Sequence, residues 1–475
     1  MSLQILATPF APPRPARVGK PRAVSADVLA AVLPGPGRDR LAAGPALAVT
    51  TGQQPGLFTG PLYTIHKALS ALALARRLER ERGVPVVPVF WVAGDDHDFL
   101  EANHAWTLDG DGAPARIVLR DRPAEAPQLP VSREPCGPEM RAALDRLAAA
   151  LGTAPFASDT LAWLAAAYTP ERSLADACAV ALNELLASRG IAVFSAHHPS
   201  AKAAAADTVL RGLAITLPDG LTPVLVEGRE GRDRLRPENG AFLTRRSGER
   251  FTKEDLQKAA RSAPERLSPN VLLRPVVEAV LFPTVAYLAG PGELAYLPDA
   301  APLYGALGNG VEPQTPVPRW SGVLIETRIT HLLGKLGLTP EDFASPPGAL
   351  EARVARAALP PEATALLAEL RRHITDDHAR LAQAAAAVDP TLERSVTGAR
   401  NAALWRAERL ERRLAAAQQR RDASVTAQIA RCRAALHPDG RPQERVLTLA
   451  TFLARLGPSL LDEIEAAVAH SFGVE

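Results

Sequence analysis

The chain has 475 residues, 47% of them hydrophobic, with 54 Lys plus Arg against 52 Asp plus Glu and a formal net charge of +2. That length predicts two or three structural units with a sizeable buried core, and the balanced charge argues against nucleic acid as a partner. Cys136, Cys178 and Cys432 lie far apart with no CxxC pair, which points to a reducing compartment.

Residues 1–45 are rich in Pro and Gly, lack a signal-peptide pattern, and are expected to form an irregular arm with one short helix near Ala26 to Val32. No apolar run reaches the roughly 18 residues of a membrane helix, so a soluble cytoplasmic protein without a membrane partner is expected. Ala46 to Thr51 is a β-type run, Leu62 to Arg82 has helical periodicity, and Val84 to Ala93 is rich in Val. Strand, helix and strand predict a parallel sheet whose ligands gather at the carboxyl ends of the strands. Ile117 to Leu119 and Ile191 to Ser195 are further strand candidates; Met140 to Leu151 and Leu174 to Ser188 are helix candidates. Residues 201–273 are less regular, with turns at Pro218-Asp219-Gly220 and Glu238-Asn239-Gly240, and are expected to be an inserted subdomain. Val285 to Ala289 restores a buried strand, followed by Gly290-Pro291-Gly292. The expected division is an α/β core over 1–338 and a helical region over 339–475.

That helical region opens at Thr339-Pro340-Glu341, a hydroxyl cap followed by proline. Leu367, Leu370, Ile374 and Leu381 line one face of a helix starting near Pro361, which Asp389-Pro390 interrupts. From Leu392, the positions Val396, Ala399, Ala403, Leu410, Leu414, Ala417, Ile429, Cys432 and Leu436 keep coiled-coil spacing apart from Arg421. A hairpin within one chain and a seam between two copies both satisfy this pattern. Because alanines bury little area, at about 25 cal/mol per Å2, a homodimer is expected.

Thr50 to Pro61 joins the first strand to its helix. Gly52, Gly56 and Gly60 allow close backbone approach, with Gln53, Gln54 and Thr59 between them. The free N–H groups of the helix start favour phosphate or carboxylate, but no Gly-Lys-Ser/Thr follows, so this is not a P-loop. Tyr63 and His66 share a helix face at i and i+3, next to Lys67, and His66 is read as a catalytic candidate because it stands beside the glycine loop. The second strand ends in Asp95, Asp96, His97 and Asp98, followed by Glu101, Asn103 and His104. Adjacent side chains diverge, although a helical turn would align His97, Glu101 and His104 as metal ligands. The favoured reading has no metal: Asp96, His97 and Asp98 bind polar substrate groups or move protons.

Strand, glycine turn, helical Tyr63 and His66, and a polar second strand end resemble class I nucleotidyltransferases and aminoacyl-tRNA synthetases. A His-x-Gly-His type motif binds ATP phosphates there, and Tyr63 and His66 stand at its two His positions. A closer resemblance, to the cysteine-adding enzyme family of bacillithiol biosynthesis, covers most of the chain in order. It is carried by Thr51-Gly52-Gln53-Gln54, Thr59 to Lys67, Phe90-Trp91 with Asp96-His97-Asp98-Phe99, and Asn103-His104. It continues in Leu267 to Asn270 with Arg274-Pro275, Ala286-Tyr287 with Gly290 to Glu293 and Ala295-Tyr296, and Pro318-Arg319.

The resemblance implies an α/β chain with a Rossmann-like parallel sheet, connecting insertions and a C-terminal coiled coil that pairs protomers. It implies ATP or another adenine nucleotide as cofactor, and a ligase joining cysteine to glucosaminyl malate by activating the cysteine carboxyl. It also draws Asn103, His104, Asn270, Arg274, Gly290, Gly292, Glu293 and Tyr296 into the site. Pro298, in Leu297-Pro298-Asp299-Ala300, departs from the family by interrupting a helix. Two other readings are open. One is a non-enzymatic coiled-coil scaffold. The other is a dinucleotide-dependent oxidoreductase, through the GxGxxA run at Gly290 to Ala295 with Glu312 beyond it.

Overall fold

Runs of buried β-branched and aromatic residues assemble the central sheet. The computed structural model describes residues 3–8 and 16–474, so residues 9–15 of the expected arm lie outside the described residues. Contact density divides the chain into two compact units, one of Ile5–Leu324 with the chain from Gln443 onward, the other of Ile325–Pro442.

In the first unit, β1 (Leu47–Gln53), β2 (Val86–Val92), β3 (Ala192–Ser195), β4 (Thr284–Ala289) and β5 (Thr315–Pro318) form a parallel sheet in the order β5-β4-β1-β2-β3. Every residue of β2, β3 and β4 is buried, as expected of parallel strands covered on both faces. Helix α1 (Tyr63–Arg82) connects β1 to β2; its residues from Thr64 to Ala75 are all buried, and Gly83 caps it at φ 65. After β3 the chain crosses back to place β4 beside β1. The strand order therefore reverses between β1 and β4, and a crevice opens at the carboxyl ends of that pair.

Between β3 and β4 lies an antiparallel sheet of Val224–Gly228, Gly231–Glu238, Ala241–Thr244, Arg250–Phe251 and Leu267–Pro269. Asn239 (φ 48) and Gly240 (φ 74) make its tight turn. The strand expected at Ile117 is part of a hairpin, Pro114–Val118 pairing with His104–Leu108. The expected arm carries Ala26–Ala30, capped by Ser25, and a further helix, Pro36–Ala42. At Pro298 the helix Pro291–Tyr296 gives way to a 3-10 turn before Ala301–Leu307 resumes.

The expected helical region is divided. Its last part returns to the first unit because Leu447, Leu449, Phe452, Leu460, Ile464 and Val468 are all buried there. In the second unit, Pro361–Val388 and Leu392–Arg421 pack as a hairpin about Asp389-Pro390-Thr391, tied by Arg371 to Glu411. Its buried positions are Leu367, Ala407 and Ala415, whereas Leu370 and Leu381 of the expected helix face and Leu410 and Leu414 of the expected seam stay exposed. The residues buried at 407 and 415 are small alanines, and these leucines are left exposed.

Candidate active site

A cleft of about 550 Å3 opens at the switch point within the first unit. The end of β1 contributes Gly52, Gln53 and Gln54; α1 contributes Tyr63 and Lys67; the chain after β2 contributes Asp95, Asp96, His97 and Glu101. The chain around and after β4 adds Tyr287, Gly290, Gly292, Glu293 and Tyr296, and the inserted region adds Arg232, Arg234, Asn270 and Arg274. Arg319, just after β5, and Arg445, from the returning C-terminal chain, complete it.

Buried ion pairs hold this lining in place. Lys67 Nζ reaches Glu293 Oε2 at 2.5 Å and donates to Gly52 O at 2.7 Å, which ties β1 to the helix after β4. Burial opposes the Glu293 charge, yet Lys67, the Tyr287 hydroxyl and the Gly290 N–H outweigh it and hold the carboxyl below its ordinary value. Burial likewise pushes Lys67 below its ordinary value, with Glu293 opposing. Arg274 Nη1 donates to the buried Glu278 at 2.7 Å and its guanidinium lies over the Tyr287 ring; its Nη2 is buried with no partner among the described residues. Asn270 accepts from the N–H groups of Leu272 and Leu273, which starts the helix carrying Arg274.

Tyr63 lies under two guanidiniums, Arg319 at 5.5 Å and Arg445 at 5.7 Å from its ring centre, and accepts from Gln53 Nε2 at 2.8 Å. Arg319 forks onto Glu444 at 2.9 and 2.5 Å. Burial, then Asp98 and Asp96, raises the Glu101 carboxyl above its ordinary value. The lining holds Lys67, Arg232, Arg234, Arg274, Arg319 and Arg445 beside Asp95, Asp96, Glu101 and Glu293, while Glu278, Glu444 and Asp219 pair with Arg274, Arg319 and Arg234, so the cleft presents both signs of charge, suited to a substrate that carries anionic groups together with an ammonium or hydroxyls.

Several expected site residues lie elsewhere. His66 is fully buried behind the cleft wall, its Nδ1 2.8 Å from Glu444 Oε2 and its ring edge-on to Trp320. Burial pushes the imidazole below its ordinary value, so it is a neutral donor to Glu444. The α1 start, expected to bind an anion, is covered instead. Leu62 N–H donates to Leu447 O at 2.8 Å, Thr448 bridges Pro61, and Thr448 Oγ1 donates to Phe58 O. Gly56, Thr59 and Gly60 belong to this covered loop, and the Tyr168 hydroxyl donates to Gly56 O while accepting from Thr59 N–H.

Asp98 caps Phe99–Ala102, Asn103 donates to Arg120 O, and His104 begins a strand, so the helical alignment of His97, Glu101 and His104 does not form. Glu312 pairs with Arg17 and is not part of the lining. Trp91, Arg319 and Tyr287 were visible as motif residues but not as lining. Arg232, Arg234 and Arg445 had no sequence signal, because an isolated arginine on a short strand or after a helix looks like any surface residue.

The family descriptions that match agree with this architecture. "Bacillithiol biosynthesis BshC, N-terminal Rossmann-like domain" matches residues 38–216 and 224–311, and "Bacillithiol biosynthesis BshC, C-terminal coiled-coil domain" matches 322–471. A protein of Salinibacter ruber is 32% identical over 89% of this chain and 81% of its own length. One of Solibacter usitatus is 32% identical over 90% and 83%, and one of Geobacillus thermodenitrificans 30% identical over 90% and 83%. All three carry the name "Putative cysteine ligase BshC".

Proposed function

Since the chain belongs to the BshC family of bacillithiol biosynthesis, we propose that it is a carbon-nitrogen ligase that activates the carboxyl group of cysteine and joins it to the amine of glucosaminyl malate. The observation that carries the reading is the cleft at the β1/β4 switch point, whose wall sets the guanidiniums of Arg232, Arg319 and Arg445 beside the carboxyl groups of Asp95, Asp96 and Glu101. Arg274, Arg319 and Arg445 take the anionic groups of the substrates, the malyl carboxylates among them. Asp95, Asp96 and Glu101 take ammonium and sugar hydroxyls.

ATP or another adenine nucleotide supplies the energy for carboxyl activation. The arginines of the lining fit a phosphate, whereas the covered start of α1 does not. The enzyme works in the reducing cytoplasm; Cys136, Cys178 and Cys432 are free and buried, and no helix among the described residues is long and apolar enough to cross a membrane. It is a homodimer through the leucine face that the helical hairpin leaves uncovered. The test is to incubate the purified protein with cysteine, glucosaminyl malate and ATP and to look for the thiol conjugate by mass. Absence of product with every nucleotide tried overturns the reading.

A further inference from the structure

His97 sits in the cleft lining with Arg232, from the antiparallel sheet, against one of its ring nitrogens. Arg232 is itself held on the other side: Nε donates to Ser268 Oγ at 2.8 Å and Nη2 to Pro269 O at 3.0 Å. That clamp directs Nη1 at His97 Nδ1, 3.2 Å away. A guanidinium has five donors and no acceptor, and it does not deprotonate in proteins. Nδ1 must therefore offer its lone pair, and the proton of a neutral imidazole is left on Nε2.

The geometry points to a fixed role for this pair: Arg232 is a positioning residue that locks His97 as the Nε2–H tautomer, so that His97 donates a hydrogen bond to a developing oxyanion on the substrate instead of acting as a general base. The role rests on the ligase reading above; the tautomer does not. The groups acting on the ring support it. Burial and then Arg232 push the imidazole below its ordinary value, with Arg246 adding to them, while Asp96, whose Oδ1 is 3.8 Å from Nδ1, and Asp98 pull the other way. The balance keeps His97 neutral near pH 7. A neutral imidazole donating to an oxyanion polarises a carbonyl without moving a proton in the ground state.

The test is nitrogen NMR on the full-length protein with isotope-labelled histidine, the His97 signals being identified by their loss in H97Q. The expected result is an unprotonated Nδ1 and a protonated Nε2 in the wild type. In R232Q the tautomer preference is lost and the ring titrates at higher pH, by about one pH unit for the removal of one adjacent charge; R232K restores the lower value in part. A proton on Nδ1 in the wild type overturns the inference without reference to any variant. So does an R232Q spectrum that retains both the wild-type tautomer and its titration. With ligase turnover in hand, H97Q, which presents an amide donor near the Nε2 position, is expected to keep more kcat than H97A. Equal loss in the two refutes the donor role, and absence of turnover in the wild type refutes the ligase reading while leaving the tautomer measurement to stand.

Discussion

Replacing Glu444 with Gln tests whether the returning C-terminal chain is part of the cleft's framework. Glu444 is almost fully buried, accepts both arms of the Arg319 fork, and receives the Nδ1–H of His66. Burial alone would raise its carboxyl, but His66 and Arg319 outweigh that and take it from 4.5 down to about 2. At about 1.36 kcal/mol per pH unit, the displacement corresponds to about 3 kcal/mol of stability at neutral pH. Truncating one partner of a buried pair costs roughly 3–5 kcal/mol by a separate route, because Arg319 is left charged and dry. Gln keeps the shape and one acceptor, so E444Q is expected to lose about 2–4 kcal/mol.

The folded pKa is depressed, so the contribution is fully present above the unfolded value of 4.5 and disappears as pH falls towards about 2. The gap between wild type and E444Q should be flat from neutral pH to about 5 and narrow below that. Urea unfolding followed by tryptophan fluorescence in a W405F background measures it, since Trp91, Trp106, Trp163 and Trp320 then report on the first unit alone. An E444Q protein within about 0.5 kcal/mol of wild type, or a gap that does not narrow between pH 5 and 3, would refute the argument.

K67M strands the Glu293 carboxylate in the wall and should lose roughly 3–5 kcal/mol in the same unfolding assay; an unchanged midpoint would show that the pair is not structural. G52A sets a Cβ 2.9 Å from Trp91 O, so the β1 and β2 ends must part, at a cost of about 1–3 kcal/mol, and titration calorimetry should show weaker binding of malate-bearing substrate. L381E with L410E puts charge on the exposed leucine face of the hairpin; sedimentation should show a dimer becoming a monomer with helix content intact, and an unaltered mass would remove the dimer proposal.

The parts of the fold that local pattern controls were legible. Val86–Val92 and Thr284–Ala289 are apolar throughout because both faces of the sheet are covered, and Gly83 and Asn239-Gly240 stop a helix and turn a hairpin by φ alone. Gly52, Gln53, Tyr63, Lys67, Asp96, His97, Asn270, Arg274 and Glu293 were expected at the site and line the cleft. His66 was misread for a physical reason. On the helix it stands one turn from the glycine loop, and Glu444, 378 positions away, with Trp320 against its ring, turns that face into interior. The leucines of the hairpin leave open whether their seam closes within one chain or between two copies, since heptad spacing does not say which face meets the neighbouring helix of the same chain.

The covered glycine loop changes what Gly56 and Gly60 are for. Phe58 at φ 52 and Thr59 at φ 71 are left-handed without being glycine, at roughly 1–3 kcal/mol each, and such a conformation persists only when the surroundings over-determine it. Here Tyr168 bridges Gly56 O and Thr59 N–H, and Thr448 holds Phe58 O from the other side. Two distant segments thus meet on one short turn that lies outside the cleft lining. The turn sets where β1 ends and α1 begins, and so fixes the spacing of Gln53 and Gln54 from Tyr63 and Lys67. Its strain is a cost of aiming the β1 end at the switch point, and in the proposed function the anion-binding work passes to arginines that arrive from the inserted region, the chain after β5 and the C-terminal return.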